Sequence, residues 1–359
     1  MGIGFDAARW ERVRENSERW WAGELKRPLF FITRKDRDPG RPEPAVPWKK
    51  YIPSYDFSVT PEAIIDRQDY DLSQFRYFGD AFPNFRPNFG AGVIAAFLGA
   101  RIEVREETCW FFPVSNREAD GIEFSFDLEN MWYHRVAEMC RSAVERWGGS
   151  VQTAMTDLGG NLDIIASFRP GEKLLLDLCD HPEEVKRLTW KAHEMWWTCF
   201  DSLNALLEPA NQGFTAWTPI FSEKPYYMLQ CDFCYMIGPD MFDEFVKPEI
   251  AATCRRLDRP FYHLDGRGQL AHIDSLLSIP ELKGVQWVPG DGAPEITRWP
   301  EVFRKIRDAG KLVQFFGNVH DLDVIVEQLG SPEGIMLVSW ETETSEREIE
   351  AALEKYGAG

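Results

Sequence analysis

The sequence lacks an apolar run long enough to cross a bilayer. Stretches such as Gly92–Ala100 fall well short of the roughly 20 residues a spanning helix needs. It also lacks a basic excess: 40 Lys and Arg stand against 58 Asp and Glu, a formal net charge of −18. A protein that tracks nucleic-acid phosphates needs the opposite field to displace counterions. Membrane and nucleic acid are therefore not expected partners, while a small anion in a local basic pocket remains compatible. Cysteine is sparse and odd in number, seven in all, in a chain too large to need covalent staples. Reduced thiols and a cytoplasmic setting follow. The first residues hold no leader-like apolar segment and pattern as an amphipathic helix anchored by Trp10, Trp20 and Trp21. No glycine-rich dinucleotide fingerprint follows any candidate strand.

What is present is core material. The chain has 359 residues, 44% hydrophobic and 14% aromatic, enough to exclude disorder and to fill a large interior. From Asp127 onward, amphipathic helices alternate with short apolar runs: Val151–Met155, Gly213–Trp217, Pro260–His263, Gly284–Val288, Leu312–Phe316 and Gly334–Val338. Two earlier candidates, Pro28–Thr33 and Phe75–Phe78, bring the strands to eight. Eight units with helical crossovers predict an α/β fold, a single (β/α)8 TIM barrel over residues 28–359. Residues 1–27 form an N-terminal helical extension, and an inserted loop and ribbon region includes Arg101–Trp110. Thr60, ahead of Pro61, is placed to cap a helix.

In such barrels chemistry gathers where strands end. Those positions hold Asp80, Asp157, Trp217, His263 with Asp265, Trp287, Asn318 and Glu341. His263 and Asp265 are two residues apart, so in an extended segment they face the same side. An imidazole and a carboxylate there can bind a divalent metal, form an acid/base pair, or simply brace the turn. Cys231 and Cys234 have zinc-knuckle spacing without a second pair, which favours packing residues, and Asp232 sits between them. The segment Thr156–Asn161 follows a strand and opens a helix, and suits a tight turn with Asn161 capping better than an anion cradle. Phe82, Phe85 and Phe89 lie in an irregular segment suited to roofing a flat ligand.

Several of these segments together resemble the uroporphyrinogen decarboxylase superfamily. Gly317-Asn318-Val319-His320 resembles its Gly-Asn-x-Asp stretch, and Met228–Pro248 its strand-to-helix segment ending in Phe-x-x-Pro. Thr156–Phe168 resembles its glycine turn and helix, and His263–Gly266 stands where the family has His-x-Cys-Gly. The resemblance implies a homodimeric barrel that is either a tetrapyrrole decarboxylase or a zinc methyltransferase working with a corrinoid protein. The decarboxylase Arg-Gln-Ala-Gly-Arg loop is replaced by Phe31–Arg37, which keeps positive charge at Arg34 and Arg37; Asp80 stands for the pyrrole-binding aspartate. The methyltransferase thiolates are replaced by Asp265 and Glu341. The expected metal ligands are thus His263, Asp265 and Glu341, a harder set for zinc or another divalent metal. Asp80 joins His263 and Asp265 as catalytic, and Asp157, Asp232, Trp287, Asn318 and Arg34 line the substrate. Cobalamin belongs to a partner carrier protein, since the chain has no Asp-x-His-x-x-Gly signature of its own. The leading expectation is a corrinoid-linked methyltransferase-like enzyme. The alternatives are a metal-free decarboxylase or lyase of a carboxylated heterocycle, and a non-catalytic ligand- or carrier-binding protein.

Overall fold

The computed structural model describes residues 2–105 and 108–359. Glu106 and Glu107, inside the expected Arg101–Trp110 ribbon, lie outside the described residues. Among the described residues eleven strands form in chain order. They are β1 (Leu29–Lys35), β2 (Phe75–Gly79), β3 (Asn84–Phe85), β4 (Arg101–Val104), β5 (Cys109–Phe112) and β6 (Gln152–Thr153). The remaining strands are β7 (Tyr226–Leu229), β8 (Arg259–Asp265), β9 (Gly284–Val288), β10 (Leu312–Phe316) and β11 (Ile335–Ser339). Seven make one sheet in the order β2-β1-β11-β10-β9-β8-β7, β3 pairs with β6, and β4 with β5. Every pairing in the large sheet is parallel except β1 with β2. The fold is mixed α/β around a mostly parallel sheet. Its hydrogen-bonded ladder runs from β2 to β7, and no ladder among the described residues closes it into a ring.

The parallel strands form where the sequence is apolar on both faces. Ile335–Ser339 is buried throughout and Gly284–Val288 almost so, as helices covering a parallel sheet require. Helices start where their caps stand. Thr60 Oγ1 accepts the Ala63 N–H, and Ser345 and Asn318 each complete a capping box. The first helix, Ala7–Trp21, starts on Asp6, whose carboxylate accepts the Arg9 N–H at 2.8 Å. It lies across the beginnings of the strands: Trp20 stacks on Phe261 and Glu18 pairs with Arg259, the first residue of β8. Trp10 packs on Phe82 and Phe221. Burying aromatic surface of this size is worth a few kcal/mol per ring.

Two expected strands differ. Phe75–Phe78 is a strand, but it runs antiparallel beside β1, with Phe31 opposite Gly79 and Lys35 opposite Phe75. It is an edge hairpin partner rather than a crossover strand. Gly213–Trp217 makes only an isolated bridge, Phe214 with Ser222, and the ladder strand is Tyr226–Leu229. The Thr215 carbonyl still accepts the Met155 N–H at 2.8 Å, so the segment lies alongside β6.

Candidate metal centre and the adjoining cavity

The strand ends bring together one group of metal-type donors among the described residues: Asp232, His263 and Asp265, whose ligand atoms all lie within 4.8 Å of one another. His263 and Asp265 share a face of β8, and His263 Nε2 stands 3.8 Å from Asp265 Oδ2. The His263 side chain is only 12% exposed, the Asp265 side chain 41%. Asp232 opens the short 3-10 turn after β7, an exposed residue whose carboxyl is nonetheless raised by the burial of its surroundings. That turn is pinned by Asp163, in the helix Asn161–Ala166, which accepts the N–H groups of Asp232 and Phe233 at 2.8 and 2.7 Å.

Beneath the group runs a row of side chains in register across three strands: His263, Gln286 and Gln314. His263 Nδ1 bonds Gln286 Oε1 at 2.5 Å, and Gln286 Nε2 donates to Gln314 Oε1 at 2.5 Å. Both glutamines are fully buried. Because the Gln286 amide nitrogen is committed to Gln314, its oxygen faces the imidazole, so Nδ1 carries the proton. Nε2 is then the free acceptor, directed towards the carboxylates, which is how a ligating histidine is held by its outer partner. Trp217 sets its ring edge-on to His263, 4.9 Å between centroids at 88°, and its indole N–H donates to the Met228 carbonyl.

The electrostatics are those of carboxylates gathered with too little positive charge. Asp157, buried, has its carboxyl pushed up to about 6 by burial, against the pull of the Gly159 N–H and Arg86. Burial and the Asp232 charge raise Asp163 well above the ordinary range. Burial alone would lower the His263 imidazole, but the Asp265 and Asp232 carboxylates beside it outweigh that and raise it. Gly159 (φ +71°) lets this loop press on the Gly90–Gly92 turn: a Cβ there would stand 2.6 Å from Gly92 Cα.

Trp217 also walls a cavity of about 560 Å³ on the side of β1, β10 and β11. Phe31, Phe75, Tyr77, Phe316 and Trp340 give it aromatic walls, and Lys50, Arg86, Asn84, Thr33 and Glu341 its polar groups.

The structure separates the expected site residues. Asp232, His263 and Asp265 converge, and Asp157 lies in the field of Asp232 and His263. Glu341 does not join the metal group; with φ +47° it turns to line the cavity, its N–H on Thr33 Oγ1. Asp80 lies at the opposite end of the sheet, because antiparallel β2 delivers its last residues to the start of β1. There it is buried, paired with Arg27 at 2.7 Å and accepting from Asn16 and the Phe30 N–H. It braces this end of the sheet and does not join the His263 group. Arg34 is tied to Asp36 at 2.6 Å and is not among the cavity's lining residues. Trp287 is fully buried against Trp299 in the helix layer, since its neighbour Gln286 takes the inward position. Asn318 caps the helix Val319–Leu329. Phe82, Phe85 and Phe89 are buried in the core rather than roofing a ligand. Cys231 and Cys234 are buried free thiols, and burial raises Cys231, consistent with packing.

Arg86, Asp163, Gln286 and Gln314 were not anticipated. The glutamines had a signal: each interrupts an otherwise apolar strand, GVQWV and LVQFF, and a polar side chain in a buried strand demands a partner.

No family model matches the chain, and no curated protein matches it. Among solved structures the chain is similar to a crystal structure of macrophomate synthase. The identity is 13%, 64% of this chain and 74% of that one are covered, and the TM-score is 0.25. No helix among the described residues is long and apolar enough to cross a membrane.

Proposed function

We propose that the protein is a metal-assisted enzyme of the uroporphyrinogen decarboxylase type, of the kind that moves a methyl group between a corrinoid and a small acceptor. The observation that carries this reading is the convergence of Asp232, His263 and Asp265 with the His263 tautomer set by Gln286. In this reading β1, β3, β6, β7, β8, β9, β10 and β11 are the eight strands of one (β/α)8 ring, with β2 laid on its edge. The bonds from Met155 to Thr215 and from the Trp217 indole to Met228 support it, because they continue from β6 towards β7.

A divalent cation on these donors supplies Lewis acidity that lowers the pKa of a bound thiol or hydroxyl acceptor. One nitrogen and two carboxylates suit zinc, manganese or iron rather than a thiolate-rich zinc centre. The chain's own residues do the rest. Gln286 holds the proton of the neutral His263 ring on Nδ1, which leaves Nε2 to the metal. Asp163 fixes the turn that carries Asp232. Asp157, with its carboxyl raised to about 6, is tuned to exchange the acceptor's proton near neutrality. Trp217 screens His263 from water. The corrinoid would be carried by a partner protein, and a homodimer belongs to the same proposal. The decarboxylase alternative loses the carboxylate grip assigned to Arg34, which is held by Asp36 and does not line the cavity, and the anchor assigned to Asp80, which lies at the opposite end of the sheet.

The test is methyl transfer from methylcobalamin to a panel of small thiols, followed by the corrinoid absorption spectrum. The sulfur takes the methyl group, the cobalt–carbon bond breaks with both electrons left on cobalt, and the thiol proton is released. Metal-dependent transfer that His263→Ala abolishes and Glu341→Gln retains is the expected result. Transfer unaffected by His263→Ala, or none from metal-loaded protein, counts against the reading.

A further inference from the structure

Several arginines in this chain are sheltered and meet a carboxylate. Arg27 pairs with Asp80 at 2.7 Å, Arg67 with Asp71 at 2.9 Å, Arg169 with Asp177 at 2.5 Å, and Arg259 with Glu18. Arg86 has no such partner, and unlike Arg9 and Arg307, which also lack one but donate to the Tyr77 and Glu333 carbonyls, it borders a cavity. Among the described residues it has no ion pair, and its hydrogen bond is a long one, 3.4 Å to the Trp217 carbonyl. Its surroundings are nevertheless enclosed enough that burial lowers its pKa. A guanidinium withdrawn from water without a carboxylate is costly, and this one borders the 560 Å³ cavity.

We infer that this cavity binds the carboxylate of a flat aromatic acid of one or two rings, with Arg86 as the residue that selects the charge. The inference rests on the proposed reaction only in making that acid its small-molecule substrate.

Three features fix the ligand class. The volume lies within the range of small-molecule sites, and the walls are rings: Phe31, Phe75, Tyr77, Trp217, Phe316 and Trp340. Such walls favour a planar apolar body. The guanidinium fork matches a carboxylate in two parallel hydrogen bonds. A doubly charged phosphate fits poorly. Glu341 lines the same cavity and Asp157 lies in the field of Arg86. The helix Pro61–Ser73 contributes Leu72 from its last turn, the negative end of its dipole. Trp217 is common to both places, bordering the cavity while its ring edge meets His263. An acid anchored on Arg86 therefore has the metal group on the far side of a single side chain.

The experiment uses chelator-treated full-length protein and isothermal titration calorimetry with 2-naphthoate and its neutral counterpart 2-naphthamide. Wild type is expected to bind the acid more tightly than the amide. Arg86→Gln should weaken the acid roughly ten- to a hundredfold and leave the amide within about twofold. Equal binding of acid and amide by wild type, no binding of the acid, or an acid affinity unchanged by Arg86→Gln would overturn the inference. If Arg86→Gln loses both ligands, Arg86→Lys decides. The acid weakened with the amide retained supports a carboxylate fork, while both retained or both lost refutes it. A separate titration of Zn²⁺ into the same sample reports the metal group alone. A failed metal reading then shows there and leaves the carboxylate result standing.

Discussion

Replacing Gln286 by leucine separates the metal group from the fold that carries it. Gln286 makes two hydrogen bonds inside a fully buried row, one from His263 Nδ1 and one to Gln314 Oε1. Without it the imidazole can place its proton on either nitrogen, and half of its reason to present Nε2 is gone. Loss of such an outer partner weakens metal binding about ten- to a hundredfold, or about 1.4–2.7 kcal/mol. The same substitution leaves Gln314 Oε1 without a donor, at a stability cost of about 1–3 kcal/mol. The two effects are separable. Gln286→Leu with Gln314→Leu removes both partners of that bond, so urea unfolding should return towards wild type while metal affinity stays low. The assay pairs urea denaturation with a Zn²⁺ or Mn²⁺ titration of each variant. A metal affinity within twofold of wild type in Gln286→Leu, or one restored along with stability in the double variant, would refute the tautomer argument.

Other predictions follow from particular environments. Asp80→Ala breaks a buried ion pair with Arg27 and should cost about 3–5 kcal/mol in urea unfolding. The metal affinity of the folded protein should stay unchanged, contrary to a catalytic role. Asp157 has a folded pKa of about 6 against an ordinary 3.8. A raised acid contributes stability below its unfolded pKa and loses it as pH rises through the folded one. Metal-free Asp157→Asn should therefore gain on wild type between pH 4 and pH 6 and keep the advantage at pH 7, by at most about 3 kcal/mol. Unfolding midpoints across that range check it, and a wild type equally stable relative to the variant at pH 4 and pH 7 contradicts it. Gly159→Ala forces a side chain into a left-handed backbone and against Gly92, so the melting temperature should fall by several degrees.

Much of the scaffold was legible because burial on both faces leaves a continuous apolar run. Leu312–Phe316 and Gly284–Val288 are strands with the bounds their sequences suggested, and Thr60 caps the helix it precedes. His263 and Asp265 were legible as a pair because the period of a strand is two. Strand direction left no such trace. Phe75–Gly79 has the same apolar character whether it runs with β1 or against it, and running against it moved Asp80 to the far end. Face parity was the other failure: as a strand-end residue Trp287 is expected to line the substrate, whereas Gln286 is the residue that faces inward. Arg86 was hidden in an irregular segment, where no period assigns a direction and only the tertiary fold closes a cavity around it.

The central claim is that Asp232, His263 and Asp265 form a metal centre and that Glu341 does not belong to it. Metal content by mass spectrometry tests this most directly, on untagged protein purified without chelator, for wild type, His263→Ala, Asp232→Asn and Glu341→Gln. The account predicts near one equivalent of a single divalent metal in wild type and Glu341→Gln, with most of it lost from the other two. Equal, substoichiometric metal in all four proteins would contradict it.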